Sequence, residues 1–182
     1  MGTWKNGLGD VYSTFRVLDG AVARSVFRDV DMRVLFVCTG NTCRSPLAEG
    51  YFRRLTRNAG ISDAIEVASA GTSAMEGAPP SPQAVAAAES AGFDISSLRS
   101  APLTPEEIER ADLIVPMTVS HEAVVLSIAP GAAGKTRRLG EFADGGDIGD
   151  PFGGSLAVYQ ACFDGMRPAL ERLFDKVKSK EI

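Results

Sequence analysis

Arg33-Val-Leu-Phe-Val-Cys38-Thr-Gly-Asn-Thr-Cys43-Arg44-Ser45-Pro46 is the stretch whose reading decides the fold. Val34 to Val37 form an unbroken apolar run rich in β-branched residues, the pattern of a strand buried on both faces. A polar loop containing Gly40 follows, and then a helix start. Ser45 suits the N-cap, Pro46 the first helical position and Glu49 the first turn. Strand, tight loop and helix N-terminus together make a nest of backbone N–H groups that favours an anion.

Cys38 stands at the end of the strand, with Arg44 six residues later. A thiol beside aligned amides, a guanidinium and a helix dipole is favoured as the thiolate at neutral pH. The planar fork of Arg44 fits two oxygens of a phosphoryl group. The plainer alternative is an inert thiol ending a core strand. An arginine at that spacing followed by a serine, with a strand before and a helix after, seldom arises by chance, which weighs against that alternative. The pattern points to a tetrahedral oxyanion held against a sulfur nucleophile.

At 182 residues the chain is long enough for one domain with a sizeable core. A net charge of −4 gives no reason to expect a nucleic-acid partner. Three cysteines without a Cys-x2-Cys pair indicate neither a disulfide framework nor a zinc site, and a thiol nucleophile held against a phosphoryl group implies no metal and no cofactor. A reactive thiol suits a reducing, cytoplasmic compartment. No apolar run approaches the roughly 18 residues that a membrane span needs.

Residues 1–31 carry charges at regular intervals and contain no signal-peptide apolar segment. They read as a non-core extension, left by an early start codon or by cloning, with a docking or oligomerisation arm as the alternative. Within them, 17–30 has the pattern of a short amphipathic helix. The domain proper is expected over 32–182.

From Pro46 the spacing of Leu47, Tyr51, Leu55 and Ala59 predicts a helix ending at Gly60. Ile65 to Ala68 reads as a second strand, which leads into the small-residue loop Ser69-Ala-Gly71-Thr72. A loop after a parallel strand falls on the same sheet edge as the Cys38 loop. An alanine-rich helix ends at Gly92, and Thr104-Pro-Glu-Glu107 has a capping-box outline. Leu113 to Val115 is a third strand, and a helix is expected from Ser120 to about Ala129. His121, the chain's one histidine, is expected on the surface of that helix. Lys135 to Leu139 reads as a fourth strand. Alternating strands and helices require a parallel sheet with right-handed crossovers. The last helix, from Ser155 to about Lys178, carries an apolar stripe with Cys162 beside it as packing.

The segment 145–154 has five glycines in ten residues and is no regular element. Mobile backbone around acidic residues and an aromatic suits an active-site loop. Phosphoryl transfer to a thiolate needs an acid for the leaving group and then a base for water, and one carboxylate can serve both steps. Asp144, Asp147 and Asp150 are the candidates.

Cys-x5-Arg-Ser directly after the first strand resembles the low-molecular-weight protein tyrosine phosphatase family. The wording Cys38-Thr-Gly-Asn-Thr-Cys-Arg-Ser-Pro46 is most similar to its bacterial protein-arginine phosphatase branch. The resemblance implies a three-layer α/β/α fold with a four-stranded parallel sheet in the order 2-1-3-4. It makes Asp150, followed by Pro151, the general acid, with Cys38 the nucleophile and Arg44 the phosphate clamp. Thr39, Gly40, Asn41, Thr42, Cys43 and Ser45 complete the phosphate loop, with Ser45 supporting the thiolate. Ser69 is implied to brace Asn41, and Phe152 to wall the substrate side chain. The implied reaction is hydrolysis of phosphorylated proteins through a phosphocysteine, by a monomer or weak homo-oligomer.

Substrate choice turns on two departures from the tyrosine phosphatases. Thr42 replaces an aliphatic residue, and Asp-Pro-Phe-Gly-Gly replaces Asp-Pro-Tyr, which thins one wall. Both favour phosphoarginine, with phosphotyrosine the alternative. Arsenate reduction needs a relay of further cysteines, and none lies between Ser45 and Ala161. A non-catalytic phospho-residue binder would not need Cys38, Arg44 and Asp150 together. Cys43, five residues from Cys38 on a curled loop, is the expected partner for a reversible, protective disulfide.

Overall fold

The computed structural model describes residues 31–182. The extension 1–31, Asp31 aside, and its expected helix at 17–30 lie outside the described residues. Three parallel strands form the sheet: β1 (Met32–Cys38), β2 (Ile65–Gly71) and β3 (Leu113–Pro116), in the order β2-β1-β3. In the register, Phe36 of β1 stands between Ser69 of β2 and Val115 of β3.

β1 shows why its sequence is apolar throughout. Alternate side chains point to opposite faces, and here both faces are covered by helices. Val34, Phe36 and Cys38 face one core, with Leu47 and Phe52 of α1 (Arg44–Asn58), Ala84 and Ala88 of α2 (Pro82–Ser90), and Phe163 and Leu170 of the last helix. Leu35 and Val37 face the second core, with Ile108 of α3 (Pro105–Arg110), Val125 of α4 (Val119–Ile128) and Ala132. The last helix, α5, spans Leu156–Ser179 and runs unbroken through Pro168. Helix, sheet and helix make the three layers. Edge-to-face contacts knit the larger core, among them Phe36–Phe52 at 5.5 Å and Tyr51–Phe163 at 5.2 Å between ring centroids.

The strand expected at 135–139 is reduced to a single parallel bridge between Ile114 and Thr136, beside β3 where a fourth strand belongs. Arg137 N–H donates to the Ile114 carbonyl at 3.0 Å. A 3-10 turn at Pro130–Lys135 and another at Leu139–Phe142 leave three residues between them. The Lys135 ammonium is also held by the carbonyls of Glu109 and Ala111, which anchors the approach to this edge.

A second difference concerns α1. It begins two residues earlier than its capping signals suggest, with Cys43 rather than Ser45 at the N-cap and no acidic residue in its first turn. Ser45 is instead inside the helix, where its hydroxyl serves Cys38. α2, α3 and α4 start conventionally, capped by Ser81, Thr104 and Thr118, each side chain accepting a backbone N–H of the first turn. No described helix is long and apolar enough to cross a membrane.

Candidate active site

The loop after β1 is built by its neighbours as much as by its own sequence. Thr72 N–H and Ser73 N–H donate to the carbonyls of Cys38 and Thr39, and Ser81 N–H to that of Thr42, each at 2.9 Å. The loop's carbonyls therefore point outward, which leaves its N–H groups for the cavity side. Asn41 takes the left-handed conformation with φ of 52°, which asparagine tolerates better than most residues. Gly71 at the end of β2 admits this curl. A Cβ there would stand 2.5 Å from the Thr39 carbonyl oxygen and 3.0 Å from the Asn41 Cβ.

One hydrogen-bonded chain runs from the surface to the sulfur. Arg53 pairs with Glu49 at 2.6 Å, and Ser69 Oγ donates to Glu49 Oε2 at 2.5 Å. Asn41 Nδ2 donates to Ser69 Oγ at 2.7 Å and to Ser45 Oγ at 2.9 Å. Ser45 Oγ then lies 2.9 Å from Cys38 Sγ. Because Ser45 accepts from Asn41, its own hydrogen is free to point at the sulfur. The chain thus has a polarity that suits a thiolate. Burial pushes the Glu49 carboxyl up, against the pull of Arg53 and Ser69. Asn41 Oδ1 accepts from Ala101 N–H at 2.8 Å, tying the loop to a third segment.

Arg44, 4% exposed, holds its guanidinium at the mouth of the loop. Nη2 donates to Asp150 Oδ2 at 2.7 Å and to Thr39 Oγ1 at 3.4 Å, and Nη1 donates to the Ile148 carbonyl at 3.1 Å. Its Nε is buried with no partner. A buried cation with a spare donor is costly unless an anion uses it.

Cys38, Thr39, Gly40, Thr42, Cys43, Arg44, Asp150 and Phe152 line one cavity of about 230 Å³. Folding therefore brings the 145–154 loop to the β1 loop, more than a hundred residues away in sequence. Asp147 is excluded from this cavity. Its Oδ1 accepts from Val119 N–H at 3.0 Å and faces Arg138 at 3.4 Å. Asp144 caps its own turn through Gly146 N–H. Asp150 alone of the three reaches the cavity. Phe152, 77% exposed, stands at the rim. A larger groove of about 730 Å³ opens at the opposite strand ends, and none of its described lining residues is a Cys, Ser, Thr or His. No cluster of three or more potential metal ligands occurs among the described residues.

His121, expected on a helix surface, and Tyr159, on the apolar stripe of the last helix, both stand at the site. His121 is buried, not on the surface. Its Nε2 lies 2.8 Å from Thr39 Oγ1 and its Nδ1 2.8 Å from Thr118 Oγ1. The available signal was its place in the first turn after β3, since that turn opens on the same sheet edge as the Cys38 loop. Tyr159 of α5 is also buried and sets its hydroxyl 3.2 Å from Cys43 Sγ. Burial and that contact push its phenol up to about 12. Cys162 packs beside the core, its thiol pushed up to about 11 by burial.

A buried thiol hydrogen-bonded to a serine hydroxyl, a guanidinium with a spare donor and a carboxylate across a small cavity define a cysteine-dependent phosphatase on a three-layer α/β fold. Comparison with known proteins agrees. The chain belongs to the low-molecular-weight phosphotyrosine protein phosphatase family, whose model matches residues 33–182. It is 38% identical over 151 residues to a protein-arginine-phosphatase of Geobacillus stearothermophilus, covering 82% of this chain and 98% of the relative. Among solved structures it resembles a low-molecular-weight protein tyrosine phosphatase from T. tengcongensis, with 41% identity and a TM-score of 0.75 over 80% of this chain and 99% of that one. It also resembles a cysteine-to-serine mutant of the YwlE arginine phosphatase with a phosphorylated active-site serine. There the identity is 36% and the TM-score 0.75, over 81% of this chain and 96% of that one.

Proposed function

We propose that this protein removes the phosphoryl group from phosphoarginine in protein substrates. Cys38 attacks phosphorus in line with the leaving nitrogen, forming the S–P bond as the P–N bond breaks. Arg44 and the N–H groups of the loop hold the non-bridging oxygens. The guanidinium that holds the Asp150 carboxylate is the one those oxygens take over, so substrate binding frees that carboxyl to carry a proton. Asp150 gives the proton to the departing guanidine, then receives one from the water that attacks the phosphocysteine. Breaking the S–P bond releases inorganic phosphate and restores the thiolate.

The observation that carries the choice of phosphoarginine is Thr42. It is half-buried and lines the same cavity as the rim residue Phe152. A hydroxyl there can accept a hydrogen bond from a guanidinium, which an aliphatic side chain cannot. Support comes also from the relatives named as arginine phosphatases. The free thiols suit a reducing cytoplasm.

The test is kcat/KM on matched phosphoarginine and phosphotyrosine peptides for wild type and Thr42→Ile. A hydrogen bond to a charged group contributes about 1.5–3 kcal/mol, so Thr42→Ile should lose about 10–100-fold on phosphoarginine. It should leave phosphotyrosine turnover nearly unchanged. A wild-type preference for phosphotyrosine that ignores Thr42 would reassign the substrate and leave the Cys38 chemistry standing.

A further inference from the structure

His121 has no part in the mechanism above, yet it is 5% exposed and stands in the first turn of α4 against Thr39 of the phosphate loop. The hydrogen bonds around it suit one tautomer in particular, the one that gives the Thr39 hydroxyl hydrogen an acceptor. Thr39 Oγ1 accepts from Arg44 Nη2, so its own hydrogen is available for His121 Nε2. Nε2 is then an acceptor, and the ring proton sits on Nδ1. That proton goes to Thr118 Oγ1, which also accepts the His121 backbone N–H and passes its own hydrogen to Ser120 Oγ at 2.8 Å. Each donor in the chain meets one acceptor.

We propose that His121 is a positioning residue for phosphoryl binding: as the Nδ1-protonated neutral imidazole, it holds the Thr39 hydroxyl with its lone pairs toward Arg44. The guanidinium then has three fixed anchors, the Ile148 carbonyl, the Asp150 carboxylate and the Thr39 oxygen. When the carboxylate is released to act as acid, the other two remain.

Protonation reverses this arrangement. An imidazolium would donate from Nε2 to the oxygen that Arg44 uses, and would set a second positive charge beside the guanidinium. The groups facing the ring are Arg44 from α1 and Asp147 and Asp150 from the loop before α5. On α4 itself the neighbouring Glu122 is paired with Arg138. Burial and then Arg44 hold the imidazole below its usual 6.5, and the two aspartates oppose them. The neutral form therefore prevails at neutral pH, and acid switches the anchor off.

The inference rests on the Cys38–Arg44 loop being the phosphoryl site, not on which phosphoamino acid fills it. Aryl phosphate turnover that is lost in Cys38→Ser checks that premise without reference to His121. His121 is the chain's one histidine, so its ring nitrogens are assigned without further variants. Nitrogen-15 spectra of the full-length protein should show Nδ1 protonated and Nε2 bare at pH 7.5, a titration midpoint below 6.5, and a shift at Nε2 in Thr39→Val. On an aryl phosphate, His121→Phe and Thr39→Val should each lower kcat/KM about fivefold to tenfold, the effect of one lost hydrogen bond. The double variant should be no worse than either single one. His121→Gln, an acceptor that does not titrate, should recover part of the loss, and its activity should fall less than that of the wild type as pH drops below 6.5. A proton on Nε2 at pH 7.5, or additive losses in the double variant, would overturn the proposal.

Discussion

Asn41→Asp is the substitution that most sharply tests how the loop arms its sulfur. The change is nearly isosteric, suits the left-handed backbone at φ of 52°, and keeps an oxygen to accept Ala101 N–H. What it removes is the Nδ2 donor to Ser45 at 2.9 Å and to Ser69 at 2.7 Å. A carboxylate oxygen in that place accepts from Ser45, so the serine hydrogen turns away from Cys38 Sγ, 2.9 Å distant. Losing a hydrogen bond to a charged sulfur costs about 1.5–3 kcal/mol, or about 10–100-fold in kcat/KM. The new charge also faces Glu49 across Ser69, and the lost Nδ2 donor lowers folding stability by about 1–3 kcal/mol. Ser45→Ala removes the same final bond with no new charge and should show the same order of loss. The assay is kcat/KM on an aryl phosphate, alongside the rate at which iodoacetamide alkylates Cys38 and a urea unfolding curve. Both variants should be slower in turnover and in alkylation. If Asn41→Asp folds and both rates match the wild type, the polarity assigned to the Glu49–Ser69–Asn41–Ser45 chain is wrong.

Three further outcomes follow from the same geometry. Asp150→Asn should lower kcat/KM on phosphoarginine by about 10²–10⁴, the usual scale of general acid–base catalysis. The loss should be smaller on an aryl phosphate with a good leaving group, and equal losses on both would count against Asp150 as the acid. Peroxide should inactivate the enzyme by oxidising Cys38 and Cys43 together to a disulfide, with peroxide reduced to water, and a dithiol should restore it. In Cys43→Ser that recovery should largely vanish, measured as regained aryl phosphate turnover; unchanged recovery would remove Cys43 from the protective role. Stability should also depend on pH through His121. Its folded value lies below 6.5, so on acidification the unfolded chain binds the proton first, and stability falls as pH drops from 6.5 toward the folded value. His121→Gln should flatten that part of a plot of urea midpoint against pH; a slope equal to that of the wild type would refute the linkage.

The sequence by itself determined the strand-loop-helix around Cys38, because an unbroken apolar run and a turn signal are local properties of neighbouring residues. It also determined the β/α alternation, hence a parallel sheet, and the pairing of Cys38 with Arg44, six positions apart on one loop. Its resemblance to a family pointed to Asp150, but turn chemistry left Asp144 and Asp147 as rivals, since all three stand among glycines. Only the tertiary structure separated them, because reach into a cavity depends on where distant backbone lies. The same holds for the edge strand at 135–139. Its residues suit a strand, yet flanking 3-10 turns leave room for one bridge, between Ile114 and Thr136. Ser45 reads as a cap because capping preference is local, and it serves Cys38 because the loop curls back on it. His121 shows the limit most clearly. One histidine in a polar helix start carries no pattern, and its meaning comes from a threonine 82 positions earlier that folding sets against it. Local interactions are written in the order of residues, whereas a hydrogen bond between remote side chains exists only once the sheet has placed both ends.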